Sequence, residues 1–171
     1  MPAAWPCPRK PDMTPSMTCH VISESPEDTR RIAAQIGRLA QPQLVITLYG
    51  DLGSGKTCFV QGLARGLQVA DGTYVTSPSY TLIHSYPGRL TLHHVDLYRL
   101  AGGDVDDIGL LDLMAEPGVT AIEWSERLAD DLPEERLAID IQPMDDTTRR
   151  LDMTAYGLAP KILLQELSKI I

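Results

Sequence analysis

Ile32, Ile36 and Leu39 recur at helical spacing after Ser25-Pro26-Glu27-Asp28. This predicts a helix with one apolar face running to Ala40. Ser25 is its cap, Pro26 lies in the first turn, and two acids sit near the positive end of the dipole. Pro42 ends it, and a short strand is expected before it over residues 19–22. Residues 44–49 form an apolar run containing β-branched Val45, Ile46 and Thr47 and ending at a glycine turn, the pattern of a buried strand. A second helix is expected over residues 56–67.

Farther along, residues 80–86 and 90–95 flank Pro87-Gly88 and predict a β-hairpin. A helix is expected over residues 104–114 with Ile108, Leu111 and Met114 inward, then a strand over 119–124 and a short helix over 125–131. Residues 137–141 and 151–155 alternate as strands. An amphipathic helix over 160–171, with Leu163, Leu164, Leu167 and Ile170 on one face, closes the chain. Early helices between strands and later antiparallel strands together predict a single α/β domain over residues 18–171, a mixed sheet flanked by helices.

Composition narrows this picture. A length of 171 residues fits one domain, and 43% hydrophobic with 22% charged residues is ordinary for a globular protein. No apolar run is long enough to cross a bilayer, and no apolar signal core follows Met1. Residues 1–17 are rich in proline (Pro2, Pro6, Pro8, Pro11, Pro15) and are expected to be a disordered extension, or to precede a working start at Met13 or Met17. Cys7, Cys19 and Cys58 make no paired framework, which points to a reducing compartment, the cytoplasm. A formal charge of −8 argues against strong independent nucleic-acid binding. Between Asp104 and Asp146 the basic residues are Arg127 and Arg136 alone. A solvated surface explains that acidity, with a docking face for a basic partner as the alternative.

The chemistry lies between the first two apolar segments. Gly50-Asp51-Leu52-Gly53-Ser54-Gly55-Lys56-Thr57 matches GxxxxGK[ST], with a strand leading in and a helix leading out. Glycines let such a loop fold into a nest of inward N–H groups at a helix N-terminus. The backbone from Asp51 through Cys58 is therefore expected to cradle phosphates. Lys56 reaches the β- and γ-phosphates, and the Thr57 hydroxyl ligates Mg²⁺. The expected cofactors are ATP and Mg²⁺.

Such a loop needs a nearby acid. Asp96 ends one apolar strand and Glu123 another. Spacing alone does not say which is the metal ligand and which the water-orienting base. Thr76-Ser77-Pro78-Ser79-Tyr80-Thr81 stands where a hydroxyl-bearing switch segment would sense the γ-phosphate, although a turn around Pro78 explains it equally. His93 and His94 alternate on one strand, so only one is expected to face the core; with His84 they read as ordinary strand histidines rather than a metal set. Trp124 fits core packing as well as a shield for the site. Arg99, three residues past Asp96, fits either a phosphate contact or an exposed salt bridge.

Four segments in order, 48–57, 76–82, 94–100 (His94-Val95-Asp96-Leu97-Tyr98-Arg99-Leu100) and 122–126 (Ile122-Glu123-Trp124-Ser125-Glu126), make the chain from about Ser23 onward resemble the bacterial TsaE (YjeE) ATPase family. The resemblance implies a small phosphate-loop domain that binds ATP and Mg²⁺ and hydrolyses ATP slowly alone. It also implies action with TsaD, which transfers a threonylcarbamoyl group to adenosine in tRNA, and with TsaB, the partner of TsaD. By the family pattern Lys56, Asp96 and Glu123 are catalytic, Thr57, Asp96 and Glu123 surround the metal, residues 76–81 form the switch-like segment, and Trp124 borders the nucleotide. Thr29 becomes a candidate for contact with adenine. The family usually reads Ser-Pro-Thr where this chain has Ser77-Pro78-Ser79, which keeps the hydroxyl.

Other functions fit less of the sequence. A small metabolite or nucleotide kinase needs converging arginines or lysines, and the region after Leu100 is poor in them. A guanine-nucleotide switch needs an Asn-Lys-x-Asp motif, and the chain has no asparagine; Asp106-Asp107-Ile108-Gly109 follows no apolar strand. A pure interaction module would keep the loop but not need both acids.

Overall fold

The computed structural model describes residues 14–100 and 108–171. Among these residues seven strands form one sheet in the order β1-β7-β6-β2-β5-β4-β3. Its parallel centre comprises β2 (Leu44–Tyr49), β4 (Thr91–Asp96), β5 (Gly118–Glu123) and β6 (Arg136–Pro143). Antiparallel β1 (Met17–Ser23) and β7 (Arg149–Tyr156) extend one edge, and antiparallel β3 (Ile83–Tyr86) extends the other. The predicted mixed sheet flanked by helices is the one observed.

Both faces are covered, as parallel sheets require. Ile46, Leu48, Val119, Ala121, Leu137 and Ile139 share one cluster with Ile32 and Ile36 of α1 (Pro26–Leu39), Phe59 and Leu63 of α2 (Lys56–Gly66), and Leu164 and Leu167 of α4 (Leu158–Leu167). Val45, Val95 and Ile122 point the other way, to Leu110 of α3 (Leu110–Ala115) and Leu128 of a 3-10 helix over Ser125–Asp131. Period-two alternation on β2 thus feeds two cores. The same fact corrects the reading of the histidines: His93 and His94 are both buried, because neither face of β4 meets water.

The start of α1 follows the prediction, with Asp28 N donating to Ser25 Oγ at 3.1 Å. Its packing on α2 depends on missing side chains. A Cβ on Gly37 would lie 2.6 Å from Leu63 O and 2.9 Å from Gly66 Cα, so the two helix backbones nearly touch. That approach fixes α2, whose N-terminus carries the glycine-rich loop from Gly50 to Gly55.

The first hairpin strand, expected over residues 80–86, begins only at Ile83, after Leu82 in the left-handed region (φ 66°), and three other predicted elements shift. Residues 104–107 of the expected 104–114 helix, and with them part of the Asp106–Gly109 string, lie outside the described residues; the observed helix begins after Gly109, which has φ 68°. Starting there turns Leu110, Leu113 and Met114 inward at i, i+3 and i+4 and leaves Leu111 47% exposed, contrary to expectation. At the C-terminus α4 ends at Leu167, so Ile170 falls beyond it and is exposed. The expected extension over residues 1–17 lies outside the described residues up to residue 13. Its last part is structured: Ser16 Oγ donates to Ala155 O at 3.0 Å, and β1 starts at Met17. Among the described residues no helix is long and apolar enough to cross a membrane.

Candidate functional site

Parallel strands β2, β5 and β4 all end at one edge of the sheet, where open α/β sheets bind ligands. Register places Leu48 beside Glu123 and Glu123 beside Asp96, so the two acids are lateral neighbours. They share parity with Leu92 and Ala121, and therefore lie on the α2 side of the sheet. The loop from Gly50 to Gly55 closes over that edge. Gly50, Gly53 and Gly55 have φ of 127°, 80° and 115°. A Cβ on Gly50 would strike Ile141 O at 2.5 Å, whereas one on Gly53 or Gly55 would meet nothing within 4 Å. The loop is thus packed at its root and open at its mouth.

A cleft of about 350 Å³ opens there, lined by Leu52, Gly53, Gly55, Lys56, Thr57, Cys58, Ser77, Ser79, Asp96, Tyr98, Arg99, Glu123 and Trp124. Thr57 Oγ1 donates to Glu123 Oε1 at 2.9 Å. The same oxygen lies 2.8 Å from His94 Nε2. Asp96 is held from two sides: Ser77 Oγ donates to Oδ2, and Tyr98 N donates to Oδ1 at 2.8 Å. Both acids are about 3% exposed. The structure therefore brings together Lys56, Thr57, Asp96, Glu123 and Trp124.

Lys56 is buried and turned back on its own loop. Its Nζ donates to Gly50 O and, at 2.9 Å, to Asp51 O. Burial pushes its pKa below the usual lysine range, and the carboxylates of Glu123, Glu126, Asp96 and Asp51 oppose that shift. The Trp124 ring covers the ammonium at 4.0 Å and stacks at a tilt on Tyr98, 4.9 Å between centroids. Trp124 occupies the left-handed region (φ 59°, ψ 40°), which costs a side chain roughly 1–2 kcal/mol. Leu97 N donating to Glu123 O at 3.1 Å and Ser125 Oγ donating to Leu48 O at 3.2 Å hold the backbone on either side of it.

The remaining expected residues separate. The Asp51 carbonyl accepts from Lys56 Nζ at 2.9 Å and from Ser54 N at 3.1 Å, and Cys58 lines the cleft with its Sγ donating to Pro26 O at 3.3 Å. Burial raises the Cys58 thiol above its ordinary pKa, so it is not an activated nucleophile. Ser77 and Ser79 of the 76–81 segment reach the cleft, but Thr81 bonds His84 Nε2 at 2.9 Å instead. Arg99 lines the cleft with its guanidinium 4.3 Å from the Tyr80 ring. Thr29 is 2% exposed and spends its hydroxyl on Ser23 Oγ at 2.7 Å. Among the described residues, no three His, Cys, Asp or Glu side chains are grouped to hold a metal.

Sequence reasoning missed three participants. His94 carried a signal, since it shares parity with Asp96 two residues on. Tyr98 did too, by its place in the Asp96–Arg99 run. Arg149 carried none: its Nε donates to Ser54 O at 2.8 Å across 95 positions of sequence.

A family profile described as "Threonylcarbamoyl adenosine biosynthesis protein TsaE" matches residues 23–151. The chain is 44% identical over 131 residues to the tRNA threonylcarbamoyladenosine biosynthesis protein TsaE of Treponema pallidum (strain Nichols), spanning 76% of this chain and 96% of that protein. It is 40% identical over 146 residues to the protein of the same name from Bacillus subtilis (strain 168), spanning 85% and 90%. The crystal structure of Bacillus subtilis YdiB superposes with a TM-score of 0.78 at 36% identity, covering 90% of this chain and 95% of that one. A profile match over residues 23–151 and relatives 40–44% identical along most of their length show that the chain belongs to the TsaE family.

Proposed function

We propose that this chain is a Mg²⁺-dependent ATP hydrolase of the cytoplasm. It serves tRNA threonylcarbamoyladenosine biosynthesis as an accessory to TsaD and TsaB, and meets tRNA only through that complex. The observation that carries the reading is the Thr57–Glu123 hydrogen bond of 2.9 Å at the mouth of a glycine-built loop, with Asp96 alongside.

The donor set fits the metal. Thr57, Glu123 and Asp96 offer hard oxygens of the kind Mg²⁺ prefers, and too few of them for a cage made by protein alone. That suits an ion shared with nucleotide phosphates and water. An ion held by Thr57 and Glu123 would supply charge neutralisation to the nucleotide phosphates.

The chain's own residues do the rest. N–H groups of the loop and of the first turn of α2 receive phosphate oxygens. Lys56 exchanges Gly50 O and Asp51 O for phosphate. Glu123, already joined to Thr57, is the acid on the metal side, and Asp96, fixed by Ser77 and Tyr98 N, orders the attacking water. Ser77 links the 76–81 segment to that acid, which supports a segment responsive to the γ-phosphate.

The test is phosphate release from ATP by the chain alone and with purified TsaB and TsaD. Weak solitary turnover that rises with the pair is expected. Partners that neither bind nor change turnover overturn the assignment, and γ-phosphate transfer to a metabolite without phosphate release supports a kinase instead.

A further inference from the structure

His94 is a strand residue with no exposure at all, between Leu92 and Asp96 on the α2 side of β4. In such a place packing alone is served by leucine or methionine. Instead the imidazole leaves Nδ1 buried with no hydrogen-bond partner among the described residues, an unfavourable arrangement in apolar surroundings. Its other nitrogen, Nε2, lies 2.8 Å from Glu123 Oε1. An ionised carboxylate only accepts, so that contact calls for a proton on Nε2.

Glu123 Oε1 therefore receives two donors from opposite sides of the site, Thr57 Oγ1 from the helix and His94 Nε2 from the neighbouring strand. Two donors on one oxygen fix the rotation of the carboxylate, which one donor does not. The cost of the unsatisfied nitrogen is explained if the fixed carboxylate is what the site requires.

We propose that His94 is a positioning residue for Glu123, orienting this carboxylate for Mg²⁺ from outside the ligand set, as buried partners of metal-side carboxylates do. It touches neither metal nor nucleotide. The inference rests on the reading of Glu123 as the acid on the metal side.

Two measurements test it. The first is calorimetric binding of the non-hydrolysable ATP analogue AMP-PNP across a Mg²⁺ series, for wild type, His94→Leu and His94→Gln, with thermal midpoints recorded for each. The Mg²⁺ concentration for half-maximal enhancement is expected to rise about 10- to 100-fold in His94→Leu. His94→Gln, which keeps an amide donor near Nε2, is expected to recover most of that loss. A role in packing alone would move the thermal midpoint and leave the Mg²⁺ dependence at the wild-type value, which overturns the inference.

The second measurement needs neither ligand nor variant. ¹⁵N spectra of the imidazole in the free wild-type protein are expected to show His94 protonated on Nε2, and a proton on Nδ1 alone overturns the inference even where His94→Leu fails to fold. A wild-type protein whose AMP-PNP binding ignores Mg²⁺ overturns the underlying function itself, a failure visible before any variant is made.

Discussion

Lys56 Nζ lies 4.0 Å from the centre of the Trp124 indole while it donates to the carbonyls of Gly50 and Asp51. The ammonium is thus held by the loop it should serve, with an aromatic lid over it. Phosphate entering the loop is expected to draw Lys56 off both carbonyls and take the cation away from the ring. In a Trp5→Phe chain, where Trp124 is the one tryptophan left, ATP is expected to change tryptophan emission. Lys56→Met is expected to abolish that change and to weaken ATP binding by about 2 kcal/mol, the scale of a lost hydrogen bond to a charged group. An unchanged affinity, read by equilibrium titration, would remove Lys56 from the phosphate site.

Glu123 and Asp96 sit side by side but are held differently, one by Thr57 and His94, the other by Ser77 and a backbone N–H. Their replacement is expected to separate binding from turnover. Glu123→Ala should weaken the Mg²⁺ dependence of nucleotide binding. Asp96→Ala should leave binding nearly intact while lowering turnover by about 10²- to 10⁴-fold, the usual range for a lost general base. Single-turnover hydrolysis beside binding titrations measures both, and two variants that hydrolyse normally would deny both roles.

The crossing of α1 and α2 positions the loop without touching ligand. A Cβ on Gly66 would run into Ala34 O of α1, and the atom it would meet is backbone, which cannot swing aside. Gly66→Ala is expected to lower stability by about 1–3 kcal/mol, the usual cost of overpacking, in spite of alanine's better helix propensity. Denaturant titration checks it. A stabilised variant would mean that the helices separate freely.

Local chemistry made much of this legible from sequence. The motif from Gly50 to Thr57, the run at 44–49 and the cap at Ser25 each act over a few residues, and each reappears in place. The pairing of Asp96 with Glu123 was legible only as two acids at two strand ends, because their adjacency depends on β4 and β5 lying side by side. The burial of both His93 and His94 was misread for a related reason: alternation assigns one face to a core, and only the assembled sheet shows a second core opposite. Leu111 was misplaced by one residue because the helix start is set by Gly109, which no apolar period records.

Arg149 reaches the glycine-rich loop from the first residue of β7, opposite Pro143 at the end of β6. Its Nε holds Ser54 O at 2.8 Å, and its Nη1 holds Asp145 O at 2.9 Å. Asp145 shapes that turn by accepting from Thr148 N at 2.7 Å and Thr147 N at 2.8 Å, bonds that pull its pKa down to about 2. A depressed carboxyl stabilises the fold above the ordinary carboxylate range and loses that contribution as pH falls toward 2. Arg149→Ala is expected to weaken AMP-PNP binding several-fold, the effect of a loosened loop, with a stability change under about 1 kcal/mol, typical of a half-exposed residue. Asp145→Ala is expected to do the same to a smaller degree. Calorimetry on both variants decides it, and unchanged affinity in Arg149→Ala would show that the loop keeps its shape unaided.

His93 supplies a pH dependence whose sign can be worked out. The ring is 3% exposed, Ser85 Oγ pairs with its Nδ1 at 2.8 Å, and the Glu116 carboxylate stands 3.6 Å from Nε2. Burial pushes its pKa below the ordinary histidine value, and Glu116 pulls against that shift. Between the lowered folded value and about 6.5 in the unfolded chain, the unfolded state binds more protons, so stability rises with pH. The stability is whole above that window, declines as pH falls through it, and the full penalty is reached below the folded value. His93→Gln is expected to flatten this decline in urea titrations between about pH 7.5 and pH 5.5, a range of about two units around the free histidine value. Glu116→Gln is expected to steepen it, because the carboxylate that eases protonation of the folded ring is gone. If Glu116→Gln leaves the decline unchanged, the carboxylate is not acting on His93, and burial of the ring alone accounts for the whole slope.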